Sequence, residues 1–470
     1  MIADPKSENL LFTINRLDEQ LLRHFNDVLV VNNKLDRTLV SFQANKTEAF
    51  YRWYKYKEAF SSRLVKFLLQ DYQVQRGIVF DPFAGIGTTL FAASELGYNT
   101  EGIELLPIGI ELIENKIHGV NKAQTSEISR LKYWQKNQPW QQSKGLDDLT
   151  FLKITKGAYP KETEIQVRQY LYTIKRESEV VQKILLTALL SILESVSFTR
   201  KDGQYLRWDY RSGRQIKSRP FDKGKIYNFQ EAITIKLEEI INDLQGDEKQ
   251  LSLFNDNLIK SGDIKLYQGS CLNILPKIEA NQYTAIITSP PYCNRYDYTR
   301  TYALELALLG VDEEKLRHLR QELLSCTVEN KEKALLEINK DWKKAIKICD
   351  NEQLFQTILS YLYYQKEIKK LNNNGILRMV KGYFYEMSCV IQESFRILKD
   401  DGFLFMVNDN VRYAGASIPV DLILSKIAEN LGFMIEKILV LPNGKGNSSQ
   451  QMGTHGRKPL RKCVYVWRKK

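Results

Sequence analysis

The spacing of apolar residues changes character several times along the chain, and each change predicts an element. Over residues 8–31, Leu10, Leu11, Ile14, Leu17, Leu21 and Leu22 recur near helical spacing, and residues 62–72 form a second amphipathic helix. Residues 77–83 read instead as a hydrophobic strand entering a glycine turn. A helix over 90–96 closed by Gly97 follows, then a strand over 99–103 ending at Glu104. From about residue 117 to 261, polar helical segments replace these strand–turn–helix units, the clearest being a helix over 180–196. Strand character returns at 264–268 and 283–288. The second run is apolar without alternation, as in a strand covered on both faces. It stops at Pro290-Pro291, because proline lacks the ladder N–H and fixes its own φ. Residues 313–371 are helical and charge-laced, a pattern that predicts a solvated helix face. Helices over 381–398 and 419–431 flank a strand at 403–408, and strands at 433–441 and 463–468 enclose a polar loop, 442–459.

Alternating strands and helices predict an open α/β sheet whose ligands bind at the carboxyl ends of the strands. Five segments follow: 1–116 and 262–312 as parts of the sheet, 376–470 as its close, 117–261 as a basic helical insertion and 313–375 as a charged helical one. Composition narrows the class. A chain of 470 residues with 43% hydrophobic and 26% charged residues is globular, and a net charge of +12 favours a polyanionic partner. The first residues lack a basic-then-apolar signal layout, and the most apolar run, 185–193, is too short to span a bilayer. No membrane partner is expected, and a cytoplasmic location is. Six cysteines without a CxxC pair and four histidines far apart in sequence predict neither a disulfide framework nor a metal site.

Three stretches carry candidate chemistry. In Ser289-Pro290-Pro291-Tyr292 a hydroxyl, a carbonyl that can only accept and a flat aromatic face follow a buried strand. Together they suit a planar ring bearing an exocyclic amine. In Asp81-Pro82-Phe83-Ala84-Gly85-Ile86-Gly87-Thr88-Thr89, Gly85 and Gly87 permit close backbone approach to a ligand, and the helix N-terminus that follows favours an anionic group. The third glycine of the dinucleotide fingerprint is absent, since Leu90 stands there, and no GxxxxGK[ST] loop is present. Glu104 ends the second strand, where an acid can accept ribose hydroxyls. The third stretch, 199–227, interleaves Arg200, Lys201, Arg207, Arg211, Arg214, Lys217, Arg219, Lys223 and Lys225 with Tyr205, Trp208, Tyr210 and Phe221, a composition suited to phosphate contact and base stacking. Arg207, Trp208, Arg211, Arg214, Lys217 and Arg219 are the candidate DNA-binding residues.

SPPY and DPFAGIGTT together resemble the motifs of the amino-group DNA methyltransferases, which take a methyl group from S-adenosylmethionine (SAM). The resemblance covers residues 51–110 and 264–470, and a SAM loop preceding SPPY is one of the family's permuted orders. It implies a doubly wound, Rossmann-like sheet closed by an antiparallel strand pair. It assigns the methionine end of SAM to Asp81, Gly85 and Gly87 with Pro82, Phe83 and Thr88 beside them, the methionine half also to Phe60, and the ribose to Glu104. Ser270 stands where the family usually has an acid facing the adenine amine. Ser289, Pro290, Pro291 and Tyr292 are implied as catalytic, acting on a base flipped out of double-stranded DNA. The SPPY form is typical of cytosine N4 enzymes. Adenine N6 methylation, RNA guanine N2 methylation and a catalytically silent nucleic-acid-binding protein are the alternatives. A separate restriction endonuclease is an implied partner, and Cys293, which follows a tyrosine rather than a proline, is read as a bystander.

Overall fold

The computed structural model describes residues 4–119, 122–202, 206–214, 220–253, 261–442 and 460–470. Its strands are β1 (Leu29–Val31), β2 (Ile78–Asp81), β3 (Asn99–Glu104), β4 (Thr199–Lys201), β5 (Leu206–Trp208), β6 (Ile264–Gln268), β7 (Tyr283–Thr288), β8 (Leu398–Asp409), β9 (Val411–Tyr413), β10 (Ala416–Ile418), β11 (Phe433–Val440) and β12 (Lys462–Lys469). Eight of them form one sheet in the order β1-β11-β12-β8-β7-β2-β3-β6. Every neighbouring pair is parallel except the two made by β12, which runs antiparallel to both β11 and β8. The expected doubly wound sheet with a reversed closing strand is therefore formed.

The unbroken apolar run of β7 has its reason in the packing. Tyr283 and Ile286 enter the core on one face of the sheet, and Ala285 and Ile287 enter the core on the other. On the second face lie the helices Ser62–Asp71 and Thr88–Glu95. The first of these buries Leu64, Val65, Leu68 and Leu69, one stripe at helical spacing, and the Ser61 hydroxyl caps it by accepting from the Arg63 N–H at 3.1 Å. Each such side chain contributes about 1.5–3 kcal/mol on burial. The opposite face is covered by Gly375–Ile397 and Val420–Leu431.

Two expectations from the pattern are corrected. The N-terminal helix ends at His24, and Leu29–Val31 is an eighth strand paired in parallel with Ile438–Val440 of β11. Val30 and Val31 are β-branched, and the open ladder of β11 offers them hydrogen bonds that a helix end would leave unmade. The charged segment 313–371 is no freely solvated face either. Trp342, Phe355, Ile358, Tyr361 and Leu362 are fully buried against the sheet-side core, with the charges on the outer side.

The insertion 117–261 carries a core of its own. Helices Thr125–Asn137, Lys161–Ile174, Glu179–Ile192 and Phe229–Leu253 gather Trp134, Trp140, Tyr170 and Phe229, the two indoles stacked at 5.7 Å. That cluster continues through Ile108 and Leu112 of the helix Pro107–His118 and through Tyr302–Leu306, so the insertion is packed onto the sheet's ligand edge. The strands β4 and β5 form a separate hairpin on it. Among the described residues no helix is long and apolar enough to cross a membrane, and no group of His, Cys, Asp and Glu is arranged to hold a metal.

Candidate active site

The strands that carry the two motifs are neighbours. β2 and β7 pair at Val79–Ala285 and Phe80–Ile286, so Asp81 and Thr288-Ser289 emerge side by side although some two hundred residues separate them. Side chains tie the two ends together. Thr288 donates its hydroxyl to Asp81 Oδ1 at 2.6 Å, the Phe83 N–H donates to the same oxygen at 3.0 Å, and the Thr89 hydroxyl donates to the Ile287 carbonyl at 3.1 Å. Gly85 and Gly87 have φ of +58° and +81°, which a side chain would strain. A Cβ on Gly87 would also stand 2.8 Å from the Phe91 ring.

Glu104 organises the turn from the next strand. Its Oε2 accepts from Gly85 N at 2.7 Å, and its Oε1 accepts from Leu105 N and Leu106 N at 2.9 and 2.7 Å. A carboxylate has about four acceptor positions, so one position on Oε2 remains for a ligand hydroxyl. These elements border a cleft that opens to solvent, with about 760 Å³ of empty space counting its open mouth. Its wall brings together Phe60, Asp81, Pro82, Phe83, Gly85, Thr88, Glu104, Ser270, Ser289 and Pro291. Gly87, Pro290 and Tyr292 belong to the same loops but are not part of this wall.

The cleft is acidic. Glu58, Asp81, Glu104 and Glu322 line it, and no Lys, Arg or His does among the described residues. Burial pushes Asp81 up to about 6 and Glu104 up to about 7, and it raises Glu58 despite the hydroxyls that Tyr302 and Tyr296 donate to it. Such a lining repels phosphates and suits a cationic ligand. The Thr88 hydroxyl, at the start of the helix Thr88–Glu95, is buried without a hydrogen-bond partner and lines the cleft, a donor suited to a ligand carboxylate.

At the mouth, Ser289 Oγ lies 3.1 Å from the Tyr292 hydroxyl and 3.3 Å from the Val407 carbonyl. Lys462 on β12 stands over the Tyr292 ring, 5.4 Å from its centroid, and pairs with Asp409 at 3.5 Å. Burial raises the Tyr292 phenol, with Lys462 opposing, so it stays protonated and able to donate. Cys293 is wholly buried, its thiol raised by that burial and its carbonyl held by the Tyr413 hydroxyl at 2.8 Å, which fits a structural role.

A family profile described as DNA methylase matches residues 14–122, the first helix through the glycine loop and Glu104. Nearly the whole chain, 99%, aligns at 55% identity over 467 residues with the type II methyltransferase M.AvaI of Nostoc sp. and of Anabaena variabilis, covering 96% of each. The chain belongs to the amino-group DNA methylase family. It is also 40% identical over 502 residues to the type II methyltransferase M.BsoBI of Geobacillus stearothermophilus, covering 99% of this chain and 96% of that relative.

In this methylase, several residues of the cleft were not singled out by the sequence pattern. Tyr56 lies under the glycine loop, its ring 3.3 Å from where a Gly85 Cβ would stand, and stacks on Tyr302 at 4.9 Å. Gly109 lets the helix Pro107–His118 approach, since a Cβ there would stand 2.3 Å from the Gly85 carbonyl. Leu323 and Leu324, from the charged insertion, close the side of the cleft that holds Ser270, whose hydroxyl donates to the Glu322 carbonyl at 3.1 Å. Glu58 and Tyr56 sit in the same aromatic stretch as Phe60, a signal that could have found them.

The candidate DNA-binding residues divide. Arg207 is exposed over the Phe221 ring at 4.0 Å and sits directly opposite Arg200 across the β4–β5 hairpin, Arg200 being exposed as well. Arg214 is exposed and covers Trp208 at 4.3 Å, and Trp208 is buried beneath it. Arg211 is engaged within the protein: it grips Asp209 with two bonds of 2.7 and 2.8 Å and donates to the Gly224 carbonyl at 2.6 Å. Lys217 and Arg219 lie outside the described residues.

Proposed function

We propose that the chain methylates the exocyclic N4 amine of cytosine in double-stranded DNA at a defined short site, as the modifying half of a restriction–modification pair. The observation that carries the reading is the Asp81–Thr288 tie, which sets Ser289 and Pro291 into the wall of an acidic cleft. Its acidic and aromatic lining fits SAM, a cation overall, better than ATP or a dinucleotide. Thr88 and the helix behind it suit the methionine carboxylate, Glu58 and Asp81 the positive charges, and the open Oε2 position of Glu104 a ribose hydroxyl. Ser270 keeps acceptor capacity for an adenine amine. When bound, SAM supplies an electrophilic methyl group.

The chain's own residues make the amine reactive. An exocyclic amine is a poor nucleophile because its lone pair is conjugated into the ring. Protons of the amine donated to Ser289 Oγ and the Pro290 carbonyl draw the nitrogen toward sp3 and stabilise the charge that develops. Tyr292 supplies a stacking face for the flipped base, held by Lys462 from behind. Holding base and donor in one cleft supplies proximity. The SPPY form leans toward cytosine N4, and the curated relatives named type II methyltransferases support the pairing with a nuclease.

Arg200 and Arg207 support duplex contact. Like charges directly opposite on a hairpin destabilise it, and phosphate between them removes that repulsion. Incubating the protein with SAM and unmethylated DNA, followed by nucleoside mass spectrometry, tests the reading: N4-methylcytosine is expected. N6-methyladenine alone would overturn the base, and modification of RNA without DNA would overturn the substrate.

A further inference from the structure

Behind the exposed face of the hairpin runs a buried chain of charges that the proposed reaction does not use. On β4, Arg200 points outward and its neighbour Lys201 points inward, where it is 5% exposed. The Lys201 ammonium donates to Glu305, itself 1% exposed, and to the Tyr54 hydroxyl at 3.0 Å, which in turn donates to Glu305 at 3.0 Å. Glu305 belongs to the helix Ala303–Leu308, in the segment that follows SPPY, and its second oxygen is buried without a partner. The same ammonium stands 4.6 Å from the centroid of Tyr302, whose hydroxyl donates to Glu58 in the wall of the cofactor cleft. Lys57, next to Glu58 in sequence, closes the circuit by donating to the Lys201 carbonyl at 2.6 Å.

An ion pair this deep is costly to desolvate, and an apolar pair of similar volume holds a fold as well or better. Its placement is informative on that account. One end is covalently next to the arginine that faces duplex. The other end, through one aromatic ring and one hydroxyl, fixes a carboxylate that faces the cofactor. Arg200 and Lys201 are successive residues of β4 whose side chains leave on opposite faces, so a shift of β4 on phosphate binding carries Lys201 with it.

We propose that Lys201 is a positioning residue that couples duplex binding on the β4–β5 hairpin to cofactor binding in the cleft, through Glu305 and the Tyr302–Glu58 contact. The proposal rests on the reading of the hairpin as a duplex contact. Duplex on Arg200 and Arg207 steadies β4, Lys201 steadies Tyr302, and Glu58 is held in its orientation toward the cationic ligand. By linkage the effect is reciprocal: the cofactor tightens DNA by the same factor.

The test uses the full chain and sinefungin, a non-reactive, cationic analogue of SAM, titrated calorimetrically with and without sheared unmethylated genomic DNA. In the wild type, DNA is expected to tighten sinefungin by about fivefold or more. Lys201→Met alone strands the Glu305 carboxylate and is expected to lower Tm, so the informative variant is Lys201→Met with Glu305→Gln, which removes both charges. That double variant should bind sinefungin alone and DNA alone within about twofold of wild type, yet show a coupling ratio near one. Tyr302→Phe, which keeps the ring and loses the bond to Glu58, should reduce the ratio in the same way. A double variant with the wild-type ratio, or a wild type that binds DNA with a ratio of one, overturns the coupling. A wild type that does not bind DNA in the direct titration overturns the hairpin reading itself, and the coupling with it.

Discussion

The acidic cleft and the basic hairpin are built by opposite means. The cleft concentrates four acids among apolar and aromatic walls, and burial raises three of them, Glu58, Asp81 and Glu104. The hairpin exposes its arginines to water and uses its own acid, Asp209, to hold Arg211 and the Lys223 N–H, an arrangement that keeps the Asp209 carboxyl well below its usual range. In the cleft, the acids have no cation beside them in the wall among the described residues. In the hairpin one arginine is given to the fold so that Arg200, Arg207 and Arg214 can be presented. A basic stretch is thus a mixture of scaffold and surface, and counting its charges overstates the contacts available to DNA.

The sharpest way to break this contrast is at the mouth of the cleft. Ser289→Ala should lower the methylation rate by about 100- to 1,000-fold with sinefungin affinity retained, measured by single-turnover methyl transfer beside calorimetry. A rate within tenfold of wild type would remove the serine from the chemistry. Next in size, Glu104→Ala should weaken SAM by about 1–3 kcal/mol. It should also lower Tm, because the N–H groups of Gly85, Leu105 and Leu106 lose their acceptor. Unchanged affinity would leave Glu104 as a brace of the loop only.

On the hairpin, Arg200→Gln with Arg207→Gln should leave SAM affinity intact and flatten the dependence of DNA affinity on salt by a log–log slope of about 2, roughly 0.9 for each phosphate no longer neutralised. Arg211→Ala should instead lower Tm. If it flattened the salt slope while stability held, the division between scaffold and surface arginines would collapse. The smallest expected effect is on pH. The ionised form of Glu104 accepts the ribose hydroxyl, so SAM affinity should rise as pH climbs through about 7, with protons released on binding. The free protein should behave in the opposite sense. Glu104 keeps its proton in the fold up to about 7 but loses it near 4.5 when unfolded, so its contribution to stability is present at low pH and fades as pH rises across that window. Calorimetry in buffers of different ionisation enthalpy measures the released protons, and Glu104→Ala should reduce the release near pH 7, leaving the smaller share from Asp81 and Glu58.

What could be read from the sequence follows from distance along the chain. The glycine loop, Glu104 and SPPY are contiguous or end a visible strand, and local chemistry demanded their residue types. The doubly wound sheet and its reversed closing pair were legible through the alternation of strands and helices and the resemblance those motifs carry. Glu58, Lys201 and Glu305 were not, because each acquires meaning from partners more than a hundred residues away. β1 escaped because three residues of strand have no periodicity of their own and are defined by β11. The segment 313–371 misled because its charges are dense, although Leu354, Phe355, Ile358, Tyr361 and Leu362 follow the helical period beneath them.

The position of β12 has a bearing on how the protein is made. Synthesised after everything else described, it lies inside the sheet between β8 and β11 and carries Lys462, which backs Tyr292. Until residues 462–469 leave the ribosome, β8 and β11 have nothing between them and the Tyr292 ring has no support from Lys462. A chain emerging N-terminus first can build its insertion core early, while contacts between distant segments form late. Modification therefore waits for β12, and a chain terminated before it presents two bare strand edges in place of a working enzyme.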